Sequence, residues 1–285
     1  MKQLYLLIIA VLLSACQPQL VTGTILPPSA TIEPSASPSP TQTTSPTSQP
    51  SQTMPLPTST IRAFQVCSPL EEETLDTLSS ILVNPLVIPP IGRDDGHHGL
   101  DFSYYSRGAR ESIQGIAVYA ILSGTTALTL PNEIPYGNTI VIETLLSELP
   151  ESLQEKLQSL YQPVPEDVYY QGECPEISPP TFTGSLSVYH LYAHLENPPS
   201  FQMGDSINCG VQLGTVGNTG RSSNPHLHLE TRLGPSGADL GDMAFYETKY
   251  TEAQRSNYCL WRMSGHFQLI DPFLIFNAWL AGLTY

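Results

Sequence analysis

Positive charge is scarce in this chain. Its 285 residues hold 11 lysines and arginines against 26 aspartates and glutamates, a net charge of −15. Such an acidic excess excludes the electrostatic footprint of a nucleic-acid binder and argues against an anionic lipid surface as partner. Setting residues 1–15 aside removes Lys2 and leaves 26 acidic against 10 basic side chains. Long apolar runs are scarce too: Leu4 to Leu13 falls short of the about 20 residues that a membrane-spanning helix needs. Cysteine is limited to five residues with no Cys-x-x-Cys pair, which sets aside a cysteine-based zinc site. Histidine is equally sparse, at seven, so the place of each one in the chain is informative.

Residues 1–15 read as a secretory signal, with Lys2 as the positive segment and Leu4 to Leu13 as the apolar one. Leu13-Ser14-Ala15-Cys16 resembles the bacterial lipobox, which implies cleavage before Cys16 and acylation of that cysteine. Several acyl chains on one residue make a firm anchor. Residues 16–62 follow as a Pro/Ser/Thr-rich linker with ten prolines and one acidic residue, Glu33. Such a composition buries too little apolar surface to fold, so a disordered leash is expected, about 140 Å long when extended. The chain is thus expected to be exported and lipid-anchored on the outer face of a membrane. Gln17 carries no acidic retention signal, which favours an outer membrane where one exists.

From Ala63 the composition turns globular, and residues 63–285 suffice for one domain with a real core. Outside the cytosol, Cys67, Cys174, Cys209 and Cys259 most simply form two disulfides, with three connectivities open. Ile116-Ala117-Val118, Ala120-Ile121-Leu122, Thr125 to Leu130, Ile140 to Glu143 and Ser185 to Leu195 read as strands of an antiparallel sheet joined by tight turns. Residues 144–184 interrupt them. They open with helical spacing over Glu151 to Leu160, continue as a proline-rich loop, and read as an insertion without catalytic content, able to wall or cover a cleft.

In Asn224-Pro225-His226-Leu227-His228-Leu229-Glu230, the strand period of two puts His226 and His228 on one face and Leu227 and Leu229 on the other. A single His-x-His is as easily two unrelated histidines. Yet six of the seven histidines fall in three clusters: His97 with His98, His190 with His194, and His226 with His228. His97 and Asp101 can share one side of an extended segment, with Gly99 letting the backbone bend; His98 then points away. His190 and His194 share parity, which predicts a common face, with His190 read as structural. Imidazoles and a carboxylate gathered this way suit one zinc centre. The glycines at 214, 217 and 220 lack a following Lys-Ser/Thr and do not form a phosphate loop.

His97-x-Gly99-x-Asp101, Leu191-Tyr192-Ala193-His194-Leu195 and Gly214-x-x-Gly217-x-x-Gly220-x-Ser222-x-x-x-His226-Leu227-His228-Leu229-Glu230 together resemble the M23 (LytM/lysostaphin-type) zinc metalloendopeptidases, over about residues 92–275. Asp271-Pro272 resembles the end of that domain. The resemblance implies a mainly β, antiparallel, sandwich-like fold of the LytM (duplicated-hybrid) type with an inserted helical and loop segment. It implies one zinc ion held by His97, Asp101 and His228, with His194 and His226 as the catalytic pair, His226 the base and His194 the stabiliser. The implied substrate is the peptide part of bacterial peptidoglycan, stem-peptide cross-links or glycine bridges, and a monomer is expected. A non-catalytic relative that activates other wall hydrolases is the alternative, and a secreted zinc peptidase acting on proteins a third. The segment after Glu230, including Tyr246 to Trp261, is longer than such a core needs.

Overall fold

A computed structural model of the chain describes residues 64–172 and 174–282. The expected signal, the lipidated Cys16 and the linker to residue 62 lie outside the described residues.

The strands are β1 (Leu82–Asn84), β2 (Leu100–Phe102), β3 (Ala117–Tyr119), β4 (Gly124–Glu133), β5 (Gly137–Leu145), β6 (Leu186–Leu195), β7 (Ser206–Ile207), β8 (Gln212–Thr215), β9 (Leu227–Pro235) and β10 (Gln268–Ile270). The helices are α1 (Glu151–Leu160), α2 (Glu252–Arg262) and α3 (Pro272–Leu280). Eight strands form one sheet in the order β1-β2-β9-β6-β5-β4-β7, with β10 also pairing β9, and β3 pairs β8 in a small second sheet. Every pair is antiparallel. The fold is therefore mostly antiparallel β, as expected. Ala120 to Leu122, read as a strand, belongs to none.

The strand period of two sorts the side chains of the central strands into two cores. Ile140, Ile142, Val188, Tyr192, Leu227 and Leu229 join one apolar cluster, to which β3, β8, α1 and α3 add Val118, Leu213, Leu157 and Phe276. Val141, Tyr189, Leu191 and Ala193 face the other, where α2 brings Tyr258, Leu260 and Trp261 beside Phe267. Both faces of the sheet are thus covered, one by a two-stranded sheet and helices, the other by α2 and the segment around it. Central strands buried on both faces explain the near-continuous apolar run at Ile140 to Ile142.

Local sequence fixes the helix starts. Thr251 caps α2 by accepting from the Gln254 N–H at 3.2 Å, while the Gln254 side chain accepts from the Thr251 N–H at 3.0 Å, a reciprocal capping box. Asp271 caps α3, accepting from the Phe273 N–H at 2.9 Å, with Pro272 in the first turn where no donor is needed. The Asp271-Pro272 pair at the end of the domain is a helix start.

The four cysteines form two bridges, Cys67–Cys209 and Cys174–Cys259, settling the connectivity that the sequence left open. The second ties the loop after α1 to α2. Replacing Cys174 and Cys259 by serine is expected to lower stability by roughly 2–5 kcal/mol. Urea unfolding of the variant against the parent measures the loss, and an unchanged midpoint would mean that the loop docks without its covalent tie.

Candidate metal and catalytic site

Three neighbouring strands and one turn bring the histidine clusters together. In the β2–β9 ladder Asp101 lies opposite His228, and in the β6–β9 ladder Ala193 lies opposite the same residue. Asp101 Oδ1 is 2.7 Å from His228 Nδ1, 3.0 Å from His97 Nε2 and 3.5 Å from His226 Nε2. Gly99 is required by close approach. A Cβ there would stand 2.6 Å from the Leu229 carbonyl oxygen and 2.9 Å from the His228 ring.

His194 reaches the site by breaking the strand rule. Even-numbered residues of β6 face the core away from the site, and His190 follows them. His190 is fully buried, its Nε2–H donating to Thr144 Oγ1 at 3.0 Å while its Nδ1 accepts from the Tyr192 hydroxyl at 2.9 Å. His194 has a left-handed backbone, φ 60°, which reverses the alternation at the strand end. Its ring turns to within 4.6 Å of the His226 ring, centroid to centroid. The expectation that His190 and His194 share a face is corrected by that one residue's backbone.

Each of these side chains has one polar atom tied to the protein and one facing the cavity. His97 Nδ1–H donates to the Pro85 carbonyl at 2.9 Å, His194 Nδ1–H to Thr219 at 2.8 Å and His226 Nδ1–H to Asn224 at 2.8 Å. A carbonyl only accepts, so the nitrogen facing it carries hydrogen and the Nε2 atoms keep their lone pairs. His228 is held the other way, Nε2 at 3.1 Å from Glu230 Oε1. Asp101 Oδ2 accepts from the Asn84 amide at 3.1 Å, leaving Oδ1 for the cavity. The ligand atoms of His97, Asp101 and His228 lie within 4.8 Å of one another, as do those of His194, His226 and His228. The donor set of His97, Asp101 and His228 fits a zinc ion: three ligands of the right type, outer partners that fix their tautomers, and a fourth side open to the cavity.

Charge is arranged to match. Burial opposes a charged His228, but its hydrogen bonds to the Asp101 and Glu230 carboxylates outweigh it and push its imidazole up to about 9. Asp101 thus faces Nδ1, where a bound dication would take the place of a proton, while Glu230 faces Nε2. Burial works to raise Asp101, yet the hydrogen bonds to His228 and His97 hold it far below the usual carboxylate range. Burial, reinforced by His228 and His226 alongside, pulls His194 down to about 3. Burial also lowers His226, although Asp101 opposes the shift.

Behind His228 lies a buried ionic network. Glu230, fully buried, accepts from Arg232 Nε at 2.8 Å, Trp261 Nε1 at 3.2 Å and the Tyr136 hydroxyl at 2.8 Å, and pairs with Arg262 at 3.5 Å. Arg232 continues to His98, donating to its Nδ1 at 2.8 Å, so His98 points away from the metal ligands as expected. Arg262 continues to Asp94, Nε to Oδ1 at 2.8 Å; Asp94 also accepts from the Tyr258 hydroxyl at 2.9 Å and from that of Tyr246.

The cavity over the site measures about 570 Å³ and is walled by Tyr246, Tyr258 and Arg262 as well as by the histidines. Among the described residues, none of the 144–184 insertion lines it. The wall comes instead from the long segment after Glu230. Sequence reasoning missed Asn84, Asp94, Arg221, Tyr246, Tyr258 and Arg262 as cavity residues. Only the excess length after Glu230 pointed towards three of them.

The neutral buried histidines predict a pH dependence. Burial first, with Arg262 and Arg232 nearby, brings His98 down to about 2, and burial brings His190 to about 3. An unfolded imidazole takes its proton near pH 6.5, so below that pH the unfolded chain binds more protons and folding stability falls. Each such histidine costs about 2 kcal/mol at pH 5. In urea unfolding at pH 7 and pH 5, His190→Gln should lose about 2 kcal/mol less than the parent between the two pH values; equal losses would show that His190 is not held neutral.

The chain is similar to known proteins over part of its length. Residues 183–239 match the family model described as Peptidase family M23. That stretch carries His194, His226, His228 and Glu230. Among solved structures, the catalytic domain of lysostaphin from Staphylococcus simulans is 17% identical, with 72% of this chain and 99% of that one covered at a TM-score of 0.36. The catalytic domain of the prophage-encoded M23 protein EnpA from Enterococcus faecalis is 18% identical, with 55% and 82% covered at 0.32. A zinc containing peptidase from Vibrio cholerae is 17% identical, with 60% and 36% covered at 0.32. These likenesses are distant. The family match takes in β6 and β9 and bears three of the site's four histidines, so the likeness to Peptidase family M23 lies on the site itself, over residues 183–239.

Proposed function

We propose that the chain is a zinc-dependent endopeptidase that hydrolyses peptide bonds of bacterial peptidoglycan, stem-peptide cross-links or bridges. The convergence of His97, Asp101 and His228 at one end of an open cavity, with His194 and His226 beside them, carries this reading. The expected lipid anchor and linker suit an enzyme that works into a cell wall from a membrane.

His97 Nε2, Asp101 Oδ1 and His228 Nδ1 would hold the ion. When bound, zinc lowers the pKa of water and polarises a carbonyl. His226, neutral because burial lowers its pKa and with Nδ1–H tied to Asn224, presents Nε2 as a proton acceptor and acts as the general base. Ser222 Oγ, 3.2 Å from His226 Nδ1, helps hold that ring. His194 has the same tautomer, tied to Thr219. Its Nε2 therefore carries no proton of its own and would stabilise a developing oxyanion only after taking over the proton that His226, whose ring lies 4.6 Å away, has removed from water. That same proton would then pass to the leaving amine. Asn84 keeps Asp101 to one oxygen towards the ion, and Glu230 keeps Nδ1 of His228 there.

The full-length chain incubated with purified peptidoglycan should lower its turbidity and release new amino groups. Chelator should abolish that activity, zinc should restore it, and His228→Ala should lack both activity and bound zinc. Bound zinc should leave the protein as pH falls, because His228 regains its proton. Intact zinc binding with no cleavage of any wall type would overturn the substrate assignment. Neither zinc binding nor cleavage would favour the non-catalytic activator.

A further inference from the structure

The cavity wall holds one charge that the reaction does not use. Of the two arginines lining it, Arg262 is committed to Asp94, Glu230 and the Tyr136 hydroxyl. Arg221 is different. It is exposed, and among the described residues its guanidinium has no hydrogen bond or ion pair; it rests over the ring of Tyr246, 5.0 Å from the centroid. A guanidinium stacked on an aromatic face keeps its edge donors free for a planar acceptor.

Its position is pinned to the chemistry. The Arg221 N–H donates to the Pro135 carbonyl at 2.8 Å. Gly220, with φ 72°, packs so closely that a Cβ would stand 2.3 Å from the Gly137 nitrogen. The preceding Thr219 accepts from His194, and the following Ser222 contacts His226. Tyr246 is fixed in turn through its hydroxyl to Asp94 and Tyr258. Arg221 thus projects from the turn that holds both catalytic histidines, onto a shelf that is itself anchored.

The charge balance points the same way. Among the described residues, the acidic ones lining the cavity are Asp94, which is paired, and Asp101, which faces the other proposed ligands. In a chain of net charge −15 the cavity is therefore a local positive site once a dication is bound. Field lines in such a cleft favour an anionic ligand.

From these observations we infer that Arg221 is a carboxylate-binding subsite, so that the preferred substrate is a stem peptide with a free carboxylate near the cleaved bond, not an uncharged glycine bridge. The inference rests on the peptidase reading for its substrate and on Arg221, Tyr246 and Asp94 for its geometry. A carboxylate can accept two parallel N–H bonds from a guanidinium, and an amide in its place cannot.

The test uses the zinc-loaded full-length chain and three probes: a stem peptide with a free carboxylate, the same peptide with that carboxylate amidated, and pentaglycine. Calorimetric Kd and kcat/KM are measured for the parent, Arg221→Gln and Arg221→Lys. The carboxylate peptide should be preferred over its amide by about tenfold, in Kd and KM more than in kcat. Arg221→Gln should bring the ratio close to one, and Arg221→Lys, which keeps the charge but loses the fork, should retain part of it. Equal Kd for both peptides in the parent, a ratio that survives Arg221→Gln, or a preference for pentaglycine would overturn the subsite. Absence of cleavage would overturn the peptidase reading alone, since the Kd ratio still decides whether Arg221 binds carboxylate.

Discussion

A single buried carboxylate organises this domain. Glu230 sits in the middle of the central strand with no access to solvent, a position at which an unpaired charge would be strongly destabilising. Two arginines, an indole, a phenol and an imidazole converge on it, and through them it joins the site to α2, to the segment before β2 and to the far-side pocket of His98. The arrangement does two things at once. It fixes the ring of His228, and it fixes the cavity wall, because Arg262 cannot satisfy Glu230 and Asp94 without placing Tyr258 beside them. A change on the wall is therefore felt at the proposed ligand through one shared charge.

The five proposed site residues were legible because histidine is rare here and clusters. Two of the clusters also obey a simple period: alternation puts His226 and His228 on the face where β2 delivers Asp101. The third does not: parity grouped His190 with His194, but His190 faces the core and His194 the site. A left-handed backbone at a non-glycine residue leaves no clear mark in sequence, so the turn of His194 towards the site was hidden. The same alternation correctly separated His98 from His97.

The network behind the ligands was not legible. Glu230 pairs with Arg262 32 residues away in the chain, and Arg262 with Asp94 at a separation of 168. No local pattern encodes such contacts. The helix over Glu151–Leu160 and the antiparallel sheet could be read from period and turn chemistry, which are local. The disulfide pairing and the choice of which long segment walls the cleft depend on packing between distant elements. The extra length after Glu230, not the insertion before β6, became the wall because α2 docks on the site face of the sheet, while α1 docks on the other.

The order of the strands has a consequence for when the site can exist. Asp101 meets its partner 127 residues later, on a strand that lies between β2 and β6 in the finished sheet. Arg262, which helps neutralise the charge behind that partner, comes after a further 34 residues. A chain still emerging from the ribosome therefore carries His97 and Asp101 through a further 127 residues of synthesis before their partner His228 is made. The site cannot assemble until β9 and α2 have been made, so the order of synthesis itself delays whatever these residues do.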